Sequence, residues 1–439
     1  MNIILLSGGS GKRLWPLSND IRSKQFLKLF RTPEGERESM IQRVYKQILA
    51  VDPAATITIA TSKTQVSSIH HQLGEEGISI SIEPCRRDTF PAIALAAAYL
   101  HDVQGVPEEE AVVVCPVDPY VENDYFEALL RLYRRARESS ENLVLMGIEP
   151  TCPSEKYGYI IPEDKRDVSH VRTFREKPDE ETARQYIEAG ALWNAGVFAY
   201  KLKYVLDIAK ELLHYTDYQD LYDRYAALPK ISFDYAVVEK EKRIEVMRFR
   251  GAWQDLGTWN TLSESMSEEI IGNGMMDDSC EQVRIINELD MPVLAMGLKN
   301  TVIAASPQGI LVSDRERSLH IKPYVESIDQ RIMFAEKSWG VFHVIDVEEN
   351  SMTIKVTIQA KDHMNYHSHE RRDEVWNIVS GQGRTIVDGA VRTVGPGDVI
   401  AMHAGQKHTI LALTDLVLIE VQIGRDISVH DKQKFPMEF

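Results

Sequence analysis

A glycine-rich segment near the N-terminus has the residue types that hold a polyphosphate. It follows a short apolar run, residues 2–6, that predicts a strand. The segment contains three glycines and two cations: Gly8, Gly9, Gly11, Lys12 and Arg13. Close backbone approach, free N–H donors and positive charge are what a polyphosphate requires. The spacing matches neither the P-loop nor the dinucleotide-binding fingerprint, so the glycines alone leave a flexible loop as an alternative.

Two aspartates further along the chain could hold a metal ion. Asp118 follows the apolar run AVVVCP (residues 111–116), and Asp255 lies in WQDLGTW (residues 253–259). Carboxylates at the carboxyl ends of buried strands commonly hold Mg²⁺ for phosphoryl chemistry. Turn or helix-capping aspartates are the alternative. Beside a phosphate loop, the pair favours a metal-assisted nucleotidyl transfer.

A second group of possible ligands lies near the C-terminus. It consists of three histidines and a carboxylate: His367, His369, Glu374 and His408. Because side chains alternate along a strand, the two histidines of a His-x-His pair point to the same face. Such a set suits Zn²⁺ or another divalent transition metal, whereas any one of these histidines alone would more often be a core residue.

The elements that position these residues change in type along the chain. Strand-like and helix-like segments alternate over the first 150 residues, which predicts a parallel sheet covered by helices. Residues 150–262 read as a substrate-binding part of the same sheet. Short strands then form a β connector, and after residue 334 only strand-like runs remain, which predicts a small barrel. We therefore expect three segments: a nucleotidyltransferase domain (1–263), a β-rich connector (264–330) and a barrel domain (331–439).

Composition excludes several classes of protein. The net charge of −16 argues against a general binder of nucleic acids or membrane surfaces. Four scattered cysteines without a CxxC pair predict reduced thiols in or near the core, and no apolar run approaches the about 18 residues of a membrane span. No signal peptide is visible. These features predict a cytoplasmic protein.

Seven motifs occur in order over about residues 1–330: LLSGGSGKRLWPLSNDIRSKQFLKL, EPCRRDTFPAIALAA, PVD, FREKP, LWNAGVF, SFDYAVVEK and WQDLGTW. As a set they resemble the sugar-nucleotide pyrophosphorylases, and within them most closely the mannose-1-phosphate guanylyltransferases. Trp15 and the KQF of residues 24–26 point to this branch. The resemblance implies an α/β domain with a Rossmann-like mixed sheet and helices on both faces. It implies GTP and mannose 1-phosphate as substrates and Mg²⁺ as cofactor.

The resemblance also implies a role for each matching residue. The loop residues Gly8, Gly9, Gly11, Lys12 and Arg13 would wrap the GTP triphosphate, and Lys24 would contact phosphates. Glu83, Pro84 and Arg87 would lie near the guanine. Asp118 and Asp255 would hold Mg²⁺. Mannose 1-phosphate would be held by Gly158, Glu176, Lys177 and Asn194. Of these, Arg13, Lys24, Asp118, Lys177 and Asp255 are expected to act in catalysis, where a sugar phosphate oxygen attacks the α-phosphorus of GTP and pyrophosphate leaves.

The C-terminal histidine group resembles the two cupin motifs, which implies an all-β cupin barrel. Fusion of the two domains resembles the bifunctional enzymes that add mannose-6-phosphate isomerase (type II) to the guanylyltransferase. The isomerase motif differs here, because Asn365 stands where Gln is usual and Val375 where His is usual. A working isomerase and a structural or regulatory barrel therefore both remain open. So does guanylyl transfer to another sugar 1-phosphate, such as a manno-heptose. We also expect a homodimer.

Overall fold

Two sets of elements make up the chain, which we describe from a computed structural model. The structure describes residues 1–9, 12–19, 21–328, 331–425, 427–428 and 431–437. The first compact unit consists of Met1–Gly11, Ser23–Val66 and Glu75–Ser267. The second consists of Lys12–Arg22, Ser67–Gly74 and Glu268–Phe439.

Strands and helices alternate in the first part of the chain. The strands are β1 (Asn2–Leu6), β2 (Phe30–Arg31), β3 (Arg37–Glu38), β4 (Thr56–Ser62), β5 (Ile78–Glu83), β6 (Ala111–Pro116), β7 (Pro119–Val121), β8 (Leu143–Ile148), β9 (Tyr159–Pro162), β10 (Val168–Arg175), β11 (Leu192–Lys201), β12 (Ile244–Phe249) and β13 (Trp253–Asp255). The helices are α1 (Met40–Val51), α2 (Val66–Leu73), α3 (Thr89–Ala98), α4 (Asn123–Glu138), α5 (Glu180–Glu188), α6 (Leu202–Leu213), α7 (Tyr218–Arg224) and α8 (Trp259–Ser265). Helix α2 belongs almost entirely to the second unit.

The main sheet of the first unit is mixed. Its order is β5-β4-β1-β6-β11-β8-β12-β10-β9, and β5, β4, β1 and β6 are parallel. The sequence pattern did not show that β11 inserts antiparallel between β6 and β8. Since β9 to β12 join this sheet, the predicted substrate-binding part shares it with the first 150 residues. The mixed sheet itself is the one that the family resemblance implies.

Helices cover both faces of this sheet, as expected. One buried cluster joins α3 and α6 to Ile4, Val112 and Val114, which lie on one face of their strands. Helix α4 contacts β6, β8 and β11, and its Tyr125 hydroxyl lies 3.6 Å from the Cys115 sulfur on the opposite face. The predicted α/β domain is thus confirmed.

The second unit contains short parallel strands followed by a barrel. Its strands are β14 (Ile270–Gly272), β15 (Gly274–Met276), β16 (Arg284–Asn287), β17 (Val293–Ala295), β18 (Thr301–Ser306), β19 (Gly309–Asp314), β20 (Phe334–Lys337), β21 (Gly340–Val347), β22 (Ser351–Ile358), β23 (His367–Ser368), β24 (Arg372–Ser380), β25 (Gly383–Val387), β26 (Ala390–Val394), β27 (Val399–Met402), β28 (His408–Ala412), β29 (Leu416–Gly424) and β30 (Gln433–Lys434). A short helix, α9 (Lys322–Ser327), precedes the barrel.

The barrel confirms the predicted all-β C-terminal domain. One sheet has the order β20-β21-β22-β29-β24-β27, and a second has the order β26-β25-β28-β23-β30. Their pairings are antiparallel, and apolar side chains around the fully buried Trp376 form the core. Before it, β14, β16 and β18 pair in parallel to form the connector.

Two further expectations concern the whole chain. All four cysteines are free thiols, as predicted, but Cys152 is exposed, so its expected place in or near the core is wrong. Within the described part of the chain, no helix has both the length and the apolar character that a membrane crossing requires.

Candidate functional site

A cavity of about 200 Å³ in the first unit brings together five of the predicted site residues. They come from five separate regions of the sequence: Asp118, Gly158, Glu176, Asn194 and Asp255. Tyr157 and Trp253 also line the cavity, and their rings are 5.5 Å apart in an edge-to-face contact. The predicted metal aspartates and predicted sugar-phosphate residues therefore share one cavity with an aromatic wall.

Strand pairing explains why the two aspartates meet. Asp118 lies between β6 and β7, and β13 pairs antiparallel with β7 so that Asp255 is opposite Pro119. The Lys24 ammonium is 2.7 Å from Asp118 Oδ2 and 3.7 Å from Asp255 Oδ1. Burial would raise the pKa of Asp118, but the charge and hydrogen bond of Lys24 outweigh it, and the pKa is lowered.

The same geometry tests whether a divalent ion fits. One oxygen of Asp118 and one oxygen of Asp255 converge on the Lys24 ammonium group. Hard carboxylate oxygens such as these are the protein ligands that Mg²⁺ prefers. The two aspartates thus provide a suitable donor set for Mg²⁺.

The predicted sugar-phosphate residues form a hydrogen-bonded group. Lys177 donates from Nζ to Glu176 Oε1 over 2.5 Å, while buried Glu176 Oε2 has no hydrogen-bond partner in the described structure. Lys177 has φ of +45°, an uncommon value for a residue other than glycine that marks local strain. A buried acceptor without a partner is suited to a ligand hydroxyl.

Asp234 is a cavity residue to which we assigned no role from the sequence. It accepts a hydrogen bond of 2.7 Å from Asn194 Nδ2, and Asn194 Oδ1 accepts one of 3.2 Å from the Gly196 N–H. These bonds fix the orientation of the Asn194 amide. Burial, followed by repulsion from Glu176, raises the pKa of Asp234 to about 6. The sequence feature that could have pointed to Asp234 is its position in SFDYAVVEK, one of the seven motifs shared with the family.

The residues predicted to lie near guanine surround the end of β5. The Glu83 carboxylate accepts from the buried Tyr225 hydroxyl over 2.8 Å, and burial raises its pKa despite this bond. A methyl group added to Gly8 would lie 3.5 Å from Glu83 Oε1. Pro84 is exposed, and Arg87 donates to the carbonyl of Ala226.

The roles predicted for the other loop residues remain untested. Gly9 borders open space, since an added methyl group would meet no atom within 4 Å. Gly11 lies outside the described residues, and Lys12 and Arg13 belong to the second unit. Their predicted contact with the triphosphate therefore stays a prediction.

The four predicted ligands of the barrel form a single buried cluster. One ligand atom each from His367, His369, Glu374 and His408 lies within 4.8 Å of the others. His369 Nε2 is 3.0 Å from Glu374 Oε1, and His408 Nε2 is 3.2 Å from Glu374 Oε2. Burial would raise the pKa of Glu374, but the two histidine contacts lower it well below its ordinary value.

Backbone carbonyls orient the three imidazoles for metal binding. The Nδ1 atoms of His367, His369 and His408 lie 2.6–2.9 Å from the carbonyls of Asn365, Asp431 and Gln406. An Nδ1–H that donates to a carbonyl leaves the Nε2 lone pair for a metal, which is the usual arrangement around ligating histidines. The cluster therefore fits a divalent ion.

The cluster opens into a cavity of about 560 Å³ in the second unit. Lys337, Lys432 and Lys434 line it. Burial lowers the pKa of Lys432 to about 8, and burial followed by the charge of Glu374 raises the pKa of Glu420 to about 8. The cavity thus combines a candidate metal centre, cations and a carboxyl group that is not among the four clustered ligands.

Comparison with known proteins agrees with both parts of the chain. The nucleotidyl transferase family model matches residues 2–270, and the cupin domain model matches residues 354–421. The mannose-1-phosphate guanylyltransferase of Escherichia coli (strain K12) is 28% identical, over 98% of this chain and 97% of its own. The xanthan biosynthesis protein XanB of Xanthomonas campestris pv. campestris (strain B100) is 29% identical over the same shares. The crystal structure of a mannose-1-phosphate geranyltransferase from Thermus thermophilus has a TM-score of 0.62 and 28% identity, covering 74% of this chain and 98% of that one.

Proposed function

Because this chain belongs to the nucleotidyl transferase family, a family of enzymes, we propose that it transfers GMP from GTP to mannose 1-phosphate. The observation that carries the proposal is the shared cavity, where Asp118 and Asp255 face Gly158, Glu176 and Asn194. The E. coli and Thermus proteins, named for mannose 1-phosphate, support the choice of sugar. The relation to XanB supports a place in polysaccharide synthesis.

The chain's own residues supply binding and orientation in this reaction. Glu176 Oε2 and the fixed Asn194 amide bind sugar hydroxyls, and Tyr157 and Trp253 border the sugar ring. Lys177 holds Glu176 and lies near the sugar phosphate. An oxygen of the mannose 1-phosphate attacks the α-phosphorus of GTP. The bond from that phosphorus to the oxygen that bridges the α- and β-phosphates breaks, and pyrophosphate leaves. Mg²⁺, held by Asp118 and Asp255, would offset the negative charge that develops on the phosphates.

A panel of nucleotides and sugar 1-phosphates tests this function. We expect full-length protein to release pyrophosphate fastest with GTP and mannose 1-phosphate, and only with a divalent ion present. A faster reaction with a manno-heptose 1-phosphate would favour the alternative guanylyltransferase. No pyrophosphate release with any pair would refute the proposal. The guanine contacts of Glu83, Pro84 and Arg87, the homodimer and the boundaries 1–263, 264–330 and 331–439 remain predictions.

For the barrel we propose a second reaction, interconversion of mannose 6-phosphate and fructose 6-phosphate. The specific observation is the cavity that holds the histidine cluster together with Lys337, Lys432 and Lys434. The lysines would bind the sugar phosphate, and Zn²⁺ or another divalent ion would polarise the sugar carbonyl. Glu420 would take a proton from C1 or C2, which gives an enediol, and would return a proton to the other carbon. The two sugar phosphates are isomers, so no other reactant is needed.

An isotope-exchange experiment distinguishes an isomerase from a structural or regulatory barrel. We expect full-length protein loaded with Zn²⁺, Mn²⁺ or Co²⁺ to convert fructose 6-phosphate and to incorporate solvent deuterium at C2 of the product. His367→Ala should abolish this exchange and keep GDP-mannose synthesis. Metal binding without any exchange would favour the structural or regulatory alternative.

A further inference from the structure

Lys24 lies where a metal ion shared by the two cavity aspartates would lie. Its ammonium nitrogen is 2.7 Å from Asp118 Oδ2 and 3.7 Å from Asp255 Oδ1, and the side chain is 17% exposed. These carboxylate oxygens converge from the segment between β6 and β7 and from β13. One positive charge therefore already offsets part of the repulsion between the two carboxylates.

The backbone that carries Lys24 is firmly held. Lys24 begins a single 3-10 turn, Lys24–Phe26. The Gln25 amide donates to the carbonyl oxygen and the hydroxyl of Ser7 over 3.2 and 3.0 Å, and Phe26 is fully buried. Any change in the contacts of Lys24 must then come from its flexible side chain, which has four rotatable carbon–carbon bonds.

A metal and the lysine cannot occupy this position together. Mg²⁺ binds carboxylate oxygens at about 2.0–2.1 Å. An ion held between Asp118 Oδ2 and Asp255 Oδ1 would overlap the ammonium group, since that group is in contact with the first oxygen and close to the second. Two cations at this separation would also repel each other strongly.

We propose that Lys24 is a positioning residue that keeps bare divalent ions off the aspartate pair until a nucleoside triphosphate binds. The triphosphate offers Lys24 a new anionic partner, and the metal enters as the lysine side chain moves to the phosphates. Metal and nucleotide binding are then coupled, and by linkage each strengthens the other. This inference rests on the proposed nucleotidyl transfer, because it assigns the triphosphate as the group that releases Lys24.

The first measurement uses no nucleotide. Mn²⁺ binding to full-length protein is followed by electron paramagnetic resonance, in a His367→Ala/His408→Ala background that removes the barrel cluster. We expect Lys24→Met and Lys24→Gln to bind Mn²⁺ at least tenfold more tightly than this background. Lys28→Met removes the same charge from an exposed position of the same segment and should have no effect.

A double variant, Lys24→Met with Asp118→Asn, tests where the additional Mn²⁺ binds. We expect the second substitution to abolish the increase in Mn²⁺ affinity. Equal Mn²⁺ affinity with and without Lys24 would overturn the proposal, as would a gain that survives Asp118→Asn. A thermal unfolding curve of each variant shows that it is folded. Because Lys24 is replaced by both Met and Gln, the test can still be made if one of the two variants does not fold. Because nucleotide is absent, this result stands whether or not GDP-mannose is formed.

The coupling itself is measured with a non-reacting analogue, guanosine 5′-[α,β-methylene]triphosphate. Its dissociation constant from the protein is determined with and without Mn²⁺. We expect Mn²⁺ to tighten binding at least tenfold with Lys24 present, and by a clearly smaller factor in Lys24→Met. If Mn²⁺ tightened binding of the analogue by the same factor in both proteins, the proposal that the triphosphate releases Lys24 would be overturned. Failure of the proposed reaction would instead appear as tight analogue binding without product formation.

Discussion

Replacing Gly158 by alanine should selectively damage binding of the sugar phosphate. The added methyl carbon would lie 2.5 Å from Glu176 Oε2, 2.9 Å from Phe174 Cζ and 3.4 Å from Asn194 Cβ. Phe174 and Asn194 are held in place, and a shift of the Glu176 carboxylate would itself disturb the proposed sugar site. Phe174 is buried, Asn194 is held by Asp234, and Lys177 holds the other oxygen of Glu176. The φ angle of Gly158 lies outside the left-handed region, so the effect comes from space alone.

The size of the effect follows from the cost of overpacking. Forcing one extra methyl group into a well-packed site costs about 1–3 kcal/mol. Since about 1.4 kcal/mol corresponds to a factor of ten, kcat/KM for mannose 1-phosphate should fall about 5- to 150-fold. The KM for GTP should change less than about threefold, because no nucleotide residue is among the three contacts.

Steady-state kinetics with each substrate varied in turn measure this difference. Gly383→Ala is a matched control in β25 of the barrel, where the new methyl carbon would lie 2.6 Å from Leu416 Cδ1. It should lower the unfolding temperature and leave the transferase kinetics unchanged. An unchanged kcat/KM for mannose 1-phosphate in Gly158→Ala, or equal losses for both substrates, would refute our account of the sugar site.

Three other substitutions test separate parts of the molecule. The raised pKa of Asp234, about 6 against 3.8, means that the folded protein binds this proton more tightly than the unfolded chain. The free energy of unfolding of wild type relative to Asp234→Asn should therefore fall as the pH rises from about 4 to about 6 in chemical denaturation. His408→Ala should lower the metal content, measured by mass spectrometry, and leave GDP-mannose synthesis intact. Glu420→Gln should reduce isomerisation more than about 100-fold with the metal content unchanged, and metal loss in this variant would contradict the assigned proton transfer.

The sequence indicates individual candidate residues more readily than it indicates how they meet. The signals for Asp118 and Asp255 were local, a strand end and a glycine-bounded turn. Their closeness depends on pairing between β7 and β13, which are separated by more than 130 residues. Motif resemblance identified both aspartates, but no periodicity in the chain reports this antiparallel contact.

Strand order and side-chain partners were the parts least visible in the sequence. Strand β11 reads as one more apolar run, and nothing in its composition says that it enters the sheet antiparallel between β6 and β8. Asp234 begins an irregular helical turn, where no simple spacing indicates which way a carboxylate points. The barrel cluster was easier to predict, because side chains two residues apart on an extended chain point to the same face, and His367 and His369 have this spacing.

The carbonyl that orients His369 has a consequence for synthesis of the chain. His369 Nδ1 lies 2.7 Å from the Asp431 carbonyl, 62 residues later, and the Asp431 carboxylate accepts the N–H groups of Glu370 and Arg371. All four cluster ligands emerge from the ribosome before Asp431 does. A nascent chain can therefore contain all four cluster residues while the His369 ring still turns freely, and the cluster reaches its buried arrangement only when β30 docks beside β23.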